Sequence, residues 1–405
     1  MKNKFFVLVT VIMLVMSTNI IAQQIASAGA LEFSPTGTLF VGDNIGGAIY
    51  AFEMEKGEAP NEPTPISVEN IDARVAAILG VSQNAVVLND LAVHPITRQV
   101  YLSVTRGFGL ETQAAIVKVD GKGNLTNIDL NGLESTSQAL DNLPDGSKHF
   151  KLRGTMAAPT LKEKAKAESP MRMLAIIDMV YHKGELFVAG ISNEDFSSTL
   201  RRLPFPFTGK QSASNIEMYH IAHDQYETRA PIRSMLVKNI DGKDQLIAAY
   251  TCSPIVIIPL SELKDGAKVK AKTIGDMGNG QPIDMLSFSM QGNEMLIITN
   301  NSRMPQVMPL AGFQNAKTVT DKDFKRGMKF DLGPELPYGP LGQPIMFVGS
   351  SLQIALLNDS HFVSLTRDAK TGSLDMESVY TFFPNKLNNL HAEMDFPGYV
   401  EKGKK

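Results

Sequence analysis

The chain has 405 residues, of which 43% are hydrophobic, and it carries a formal net charge of −3 at pH 7. This composition is ample for a packed core, and charges of both signs are spread along the chain, which excludes the basic stripe of a nucleic-acid-binding protein. The single cysteine, Cys252, excludes internal disulfides, so packing has to stabilise the fold.

The N-terminus has the pattern of a secretory signal. Lys2 and Lys4 precede the apolar run Phe5–Val15, and the small residue Ala22 offers a cleavage point. We therefore predict a signal peptide over residues 1–22 and a periplasmic or secreted location, with an uncleaved membrane anchor as the alternative. No later apolar stretch is long enough to cross a bilayer, so no transmembrane segment is expected after cleavage.

A pattern of about 55 residues recurs along the rest of the chain. An apolar strand follows a polar residue, a turn comes next, and a second, strongly apolar strand ends in small polar residues. The six copies are Ala30–Asp43, Asp90–Val104, Asp178–Gly190, Arg233–Tyr250, Asp284–Thr299 and Ile345–Leu357. Two further strand candidates follow in each repeat, and turns such as Asp120-Gly121 join them as hairpins.

Four antiparallel strands repeated six times predict an all-β fold, a β-propeller of six four-stranded blades. It forms a single domain over 23–390, followed by a C-terminal tail over 391–405. A seventh blade within 131–176 stays open as the alternative. Two insertions, 57–88 and 131–177, are interpreted as blade-to-blade connections above one face of the ring.

The strand sequences Leu39-Phe40-Val41-Gly42-Asp43 and Val100-Tyr101-Leu102-Ser103 resemble blades of exported bacterial propellers in the broad YVTN and quinoprotein-like group. The resemblance is one of fold and covers most of residues 30–383. The group contains binding proteins, scaffold subunits, lactonases and cofactor-dependent dehydrogenases, so it implies no single function.

Propeller topology places the starts of first strands, the ends of second strands and the connections between blades on one face. Polar residues at these places are therefore predicted to converge on one mouth of the central channel as a ligand-binding site. The candidates are Asp90, Asp178, Arg233, Asp284, Arg106, Asn193, His223, Arg229, Asn300, Asn301, Arg303, Asn358 and Asp359.

The residue types allow two kinds of chemistry. Asp90, Asp178 and Asp284 offer oxygen ligands for a divalent cation such as Ca²⁺, whereas the arginines suit a carboxylate or phosphate. Each aspartate could instead cap backbone groups of the neighbouring strand. The absence of a C-x-x-C-H sequence argues against covalently attached haem.

Two functions follow, and whether the chain is an enzyme stays open. The first is an exported monomer that binds a small molecule, a cation or a partner protein at the mouth. The alternative is a metal-dependent hydrolase of lactonase type that uses the same acidic ring.

A weaker set of candidates surrounds the cysteine. His220 and His223 lie three residues apart, and a continuous strand would place their imidazoles on opposite faces. Cys252 follows a second strand and is interpreted as a small buried thiol, because His223 reaches it only if the loops fold inward.

Overall fold

The structure is a computed structural model. The residues it describes are 25–60, 65–107, 112–151, 168–252, 254–276, 281–301, 305–313, 315–320, 343–344, 350–368 and 371–381. The predicted signal peptide, the predicted tail and Arg303 lie outside the described residues.

The described residues of the first half of the chain form eleven strands and a helix. In chain order they are β1 (Leu31–Phe33), β2 (Thr38–Asp43), β3 (Ala48–Glu53), β4 (Ser67–Val68), α1 (Ile71–Leu79), β5 (Val86–Val93), β6 (Val100–Arg106), β7 (Gln113–Val119), β8 (Leu125–Asn127), β9 (Ser135–Ala139), β10 (His149–Lys151) and β11 (Glu168–Pro170).

The second half is built in the same way. Its strands are β12 (Asp178–His182), β13 (Glu185–Ile191), β14 (Ser198–Pro204), β15 (Ser212–His220), β16 (Gln225–Glu227), β17 (Ile232–Ile240), β18 (Lys243–Tyr250), β19 (Pro254–Pro259), β20 (Lys268–Lys270), β21 (Lys272–Asp276), β22 (Pro282–Met290), β23 (Asn293–Asn300), β24 (Gln306–Pro309), β25 (Gln343–Pro344), β26 (Ser350–Asn358), β27 (His361–Arg367) and β28 (Leu374–Tyr380). Short 3₁₀ turns cover Gln83–Ala85, Leu130–Gly132, Met171–Leu174, Ile221–His223, Leu260–Glu262 and Leu310–Gly312.

Six sheets form the blades, numbered here by the chain order of their innermost strands. From inside to outside they are β1-β2-β3-β9, β5-β6-β7-β8, β12-β13-β14-β15-β16, β17-β18-β19-β21, β22-β23-β24-β25 and β26-β27-β28-β4. These pairings are antiparallel, and β20 adds a parallel pairing with β15 at the third blade. The prediction of an all-β, six-bladed propeller is confirmed. The seven-blade alternative is wrong, because the region 131–176 supplies β9 and the separate hairpin β10-β11.

The order of the blades round the ring differs from their order in the chain. Strand β1 contacts both β5 and β12, and β26 contacts β5. The ring therefore runs through blades 2, 1, 3, 4, 5 and 6, so blade 2 lies between blade 6 and blade 1. Blades 2 and 3, which are consecutive in the chain, are therefore not neighbours in the ring.

The two blades that flank blade 2, blades 6 and 1, each receive their outer strand from a distant part of the chain. Strand β4 pairs with β28, which sets Val68 opposite Met376, and β9 pairs with β3. The two predicted insertions thus each contribute the outer strand of a blade, in addition to connecting blades.

An apolar cluster fills each of the six junctions between neighbouring blades. At the junction of blades 1 and 2, Leu39 and Val41 pack with Tyr101 and Ile116. Five further clusters fill the remaining junctions. Because a single sheet buries little apolar surface alone, closure of the ring supplies most of the core, at roughly 25 cal/mol per Å² of apolar surface removed from water.

Helix α1 seals the junction between blades 6 and 2. Its buried face, Ile71, Val75 and Leu79, joins the apolar cluster there, and the helix ends at Gly80, whose φ of 68° suits glycine. Within the described part of the chain, no helix is long and apolar enough to cross a membrane.

The sixth blade is shifted relative to the sequence-based assignment. The predicted first strand at Ile345–Val348 lies outside the described residues, and β26, which was predicted to be a second strand, is the innermost strand. Asn358 and Asp359 therefore lie in the turn before β27, where Oδ1 of Asn358 accepts the N–H groups of Ser360 and His361. The prediction that Asn358 and Asp359 lie at the mouth is wrong, because this turn is at the opposite end of the channel.

Candidate binding site in the central channel

Three aspartates occupy equivalent positions on inner strands. Asp90 lies on β5, Asp178 on β12 and Asp284 on β22. In each, Oδ1 accepts the N–H of the next residue, at 2.8 Å for Leu91 and Met179 and 2.7 Å for Met285. One carboxylate oxygen of each residue thus fixes the side chain against its own strand.

The second oxygen of each aspartate bridges to the neighbouring blade. The N–H of Leu31 donates to Oδ2 of Asp90 at 2.8 Å. In the same way, the N–H of Met235 donates to Oδ2 of Asp178 at 2.6 Å, and the N–H of Ile354 donates to Oδ2 of Asp284 at 2.8 Å. These bonds join blade 2 to blade 1, blade 3 to blade 4 and blade 5 to blade 6. We call Asp90, Asp178 and Asp284 the junction aspartates.

The other three blades carry a different residue at the corresponding position. This position immediately precedes the residue whose N–H is bridged, which is Leu31, Met235 or Ile354. It is occupied by Ala30, Ser234 and Gln353, respectively. Acidic and non-acidic positions therefore alternate round the channel. Arg233 comes one residue before this position, next to a register shift between Ile232 and Ser234, so it is not the equivalent of the aspartates.

A fourth carboxylate belongs to Glu32 on β1. It lies two residues after Ala30, the position in blade 1 that corresponds to the junction aspartates. Its Oε1 accepts the N–H of Tyr181 on β12 at 3.0 Å, which joins blade 1 to blade 3. Glu32 was not among the predicted site residues, although a charged residue between Leu31 and Phe33 of a predicted inner strand was the available signal.

These four carboxyl groups are partly buried and repel one another. Burial, followed by repulsion from Asp178 and Asp90, raises the pKa of Glu32 to about 8 against the lowering effect of the Tyr181 N–H. Burial raises the pKa of Asp90 to about 7, and burial with repulsion from Asp90 raises that of Asp178 to about 7. The pKa of Asp284 is also raised by burial and by both other aspartates.

One guanidinium opposes this negative charge. Burial lowers the pKa of Arg233, and the nearby Asp178 raises it in return. The Nε of Arg233 is buried with no hydrogen-bond partner in the described structure. Among the described residues, the channel thus holds four carboxyl groups against one guanidinium, and part of the negative charge is neutralised by protons near pH 7.

A cavity of about 290 Å³ opens at this end of the channel. Asp90, Asp178, Asp284 and Arg233 all line it. Its other lining residues are Ser27, Ala28, Gly29, Ala30, Asn44, Asn89, Thr105, Met173, Ile176, Ile177, Ile283 and Gln353. The volume is at the small end for ligand sites.

Most of the remaining predicted site residues lie away from the cavity. Arg106 donates to Gln113 and to the Leu79 carbonyl, and the exposed Arg229 pairs with Asp195 at 3.6 Å. Asn193, His223, Asn300 and Asn301 are described and are also not among its lining residues. Predicting the face of the ring was therefore not enough to identify the residues that face the channel.

The junction aspartates do not form a compact metal site. Among the described residues, the group of three His, Cys, Asp or Glu side chains with ligand atoms within 4.8 Å of one another is His220, His223 and Cys252. Each aspartate is held at its own blade junction, so a cation bound directly by all three is not supported.

The prediction that His220 and His223 face apart is wrong. Strand β15 ends at His220 and a 3₁₀ turn follows, which brings the two ring centroids to 3.9 Å. The neighbouring His220 lowers the pKa of the Cys252 thiol against its partial burial. Burial alone would lower the pKa of His220, but Cys252 and Glu227 raise it to about 9.

No protein-family model and no curated protein sequence matches the chain. Solved structures similar to it include the hydrazine synthase of Kuenenia stuttgartiensis, 11% identical, with 91% of this chain and 99% of that chain covered at a TM-score of 0.38. The PQQ-bound aldose sugar dehydrogenase of Streptomyces coelicolor is 11% identical, with 88% and 96% covered at a TM-score of 0.33. A glucose dehydrogenase is 13% identical, with 88% and 97% covered at a TM-score of 0.30. The resemblance to these quinoprotein-like and other propellers is one of fold only.

Proposed function

We propose that the protein is an exported binding protein for a small organic cation, such as an amine, which occupies the cavity at the mouth of the channel. The observation that carries this proposal is the excess of four carboxyl groups over one guanidinium in and below a cavity of about 290 Å³. A bound ammonium group would replace the protons that these carboxyl groups hold near neutral pH.

An organic cation fits better than a bare metal ion. The cavity is larger than one ion, and the junction aspartates do not place their oxygens within reach of a single point. Each carboxylate keeps two N–H bonds yet has lone pairs left for an ammonium donor. The lactonase-type alternative needs directly bound divalent metal at these aspartates, so we favour binding over hydrolysis at this site.

Calorimetry with the full chain tests the proposal. Small mono- and diamines, neutral isosteres and Ca²⁺ are titrated into the wild type, Asp90→Asn and Asp284→Asn, with Glu262→Gln on an exposed turn as the control. We expect amines to bind, with at least about tenfold weaker affinity in the two channel variants and unchanged affinity in the control.

The pH dependence provides a second readout. Protons compete with the ligand, so affinity for amines is expected to rise as pH increases through about 7 to 8, where Asp90, Asp178 and Glu32 lose their protons. The absence of amine binding at pH 8.5, or binding that Asp90→Asn leaves unchanged, would refute the proposal. Tight Ca²⁺ binding without amine binding would instead support the metal-dependent alternative.

A further inference from the structure

A second group of reactive side chains lies on the propeller away from the channel cavity. His220 ends β15, His223 ends the following 3₁₀ turn, and Glu227 ends β16. Cys252 lies in the turn between β18 and β19, in the next blade. One ring nitrogen of each histidine and the sulfur of Cys252 lie within 4.8 Å of one another.

Glu227 orients both imidazoles. Its Oε2 accepts from Nδ1 of His220 at 2.9 Å, and its Oε1 accepts from Nδ1 of His223 at 2.6 Å. Both carboxylate oxygens of Glu227 are thus used as acceptors, and the nitrogen that each histidine has left for another ligand is Nε2.

The sulfur is held in place from the opposite side. Cys252 has a φ of 64°, a conformation that non-glycine residues rarely adopt, and its N–H donates to Oε1 of Gln281 at 3.3 Å. Nε2 of Gln281 donates to Sγ of Cys252 at 3.7 Å. The same amide thus fixes the backbone and the side chain of the cysteine.

An independent observation indicates that a ligand is needed here. His220 is 1% exposed, and its Nε2 is buried without a hydrogen-bond partner in the described structure. Leaving a buried polar atom unpaired carries the cost of its lost hydration. A metal ion on this nitrogen would replace its proton and remove that cost.

We propose that Nε2 of His220, Nε2 of His223 and Sγ of Cys252 form a three-ligand site for a transition-metal ion of the zinc class. Two imidazoles and one thiolate suit Zn²⁺ in tetrahedral geometry, and a carboxylate hydrogen-bonded to the far nitrogens is a usual outer partner of such ligands. His223 is 48% exposed, so the fourth position is open to solvent. Three protein ligands with one open position are typical of reactive metal sites and differ from closed structural sites.

Metal binding to the purified chain tests the site directly. After chelator treatment, Co²⁺ is titrated and the thiolate-to-cobalt absorption band is followed, and Zn²⁺ is then added in competition. We expect one Co²⁺ per chain, displaced by Zn²⁺. His223→Ala is the main variant, because this side chain is half exposed and its loss leaves the fold intact. Cys252→Ser is the second variant, and the exposed His149→Ala is the control.

Both variants are expected to weaken metal binding at least about tenfold, whereas His149→Ala leaves it unchanged. Cys252→Ser also removes the thiolate band, and Zn²⁺ protects the wild-type thiol from alkylation by iodoacetamide. The absence of stoichiometric metal in the wild type, or binding retained in both variants, overturns the proposal. Rapid alkylation that Zn²⁺ does not slow also overturns the metal-site proposal. That result would indicate that Cys252 is a thiol nucleophile with His220 as its base. Amine binding in the channel is independent of either result.

Discussion

The N–H of Leu31 donates to Oδ2 of Asp90 across 2.8 Å, and this bond joins the two blades whose order round the ring is reversed relative to the chain. The same bond recurs at Asp178 and Asp284, so each junction aspartate both stabilises the propeller and contributes charge to the cavity. These two roles have separate consequences, which experiments can distinguish.

Removing a junction aspartate is expected to destabilise the fold. In Asp178→Ala the N–H groups of Met179 and Met235 lose their acceptor, and each such loss costs about 1–3 kcal/mol. Urea unfolding followed by circular dichroism measures the change. Asp359→Ala, in an exposed turn at the other end of the channel, is the control and should lie within about 0.5 kcal/mol of the wild type. Equal stability of the two variants would contradict this role.

The stability of the protein is expected to fall as pH rises from about 4 to 8. The pKa is raised to about 8 for Glu32 and to about 7 for Asp90 and Asp178, so the folded state binds more protons than the unfolded chain over this range. Their stabilising contribution is complete below the unfolded pKa and is lost as pH passes through the folded values. Each group should contribute on the order of a few kcal/mol to this loss.

Denaturant titrations at several pH values measure this slope. Glu32→Gln keeps an acceptor for the Tyr181 N–H and removes the ionisation, so it should flatten the curve. A wild-type stability that rises steadily over the same range would show that these groups are not the dominant titrating set.

Gly190 on β13 permits the close approach of the connection that precedes blade 3. A Cβ at this position would collide with the carbonyl oxygen of Ala175, which is backbone and cannot turn aside. Gly190→Ala is therefore expected to cost about 2 kcal/mol or more and to disturb the lining residue Ile176. In Gly312→Ala nothing lies near the added methyl group, so this variant is the matched control. Thermal unfolding of both variants gives the comparison.

A designed disulfide tests how the ring closes. Ser67 on β4 lies opposite Glu377 on β28, and cysteines at both positions should oxidise readily in a Cys252→Ser background. The closed loop should increase mobility on a non-reducing gel and raise the unfolding temperature. Ser67→Cys combined with Glu262→Cys, on another blade, should form no crosslink. Failure of the first pair to crosslink would contradict the pairing of β4 with β28.

The sequence predicted the features of the fold that depend on local patterns. Strand pairs such as Asp178–His182 and Glu185–Ile191 are short apolar runs with a turn between them, so their existence and sheet type follow from neighbouring residues. Propeller topology then placed Asp90, Asp178 and Asp284 at one end of the channel. Neither inference required a knowledge of distant pairing.

Features set by distant contacts were not predictable in this way. A two-residue strand such as Ser67–Val68 carries no signal of the sheet it joins, so the closure of blade 6 and the position of blade 2 were missed. An extra residue between Ile232 and Ser234 placed Arg233 one position out of register. The cluster of His220, His223 and Cys252 was missed because one 3₁₀ turn reverses the geometry of a continuous strand.

The pairing of β4 with β28 also has a consequence for synthesis of the chain. Ile66 donates its N–H to Oγ of Ser378, which lies 312 residues later. At roughly 5–20 residues per second, a ribosome would need about 15–60 s to deliver that partner. During this interval β4 has no blade to complete and the exposed edge could pair with other chains, so the nascent protein is expected to depend on chaperone protection until its last strand emerges.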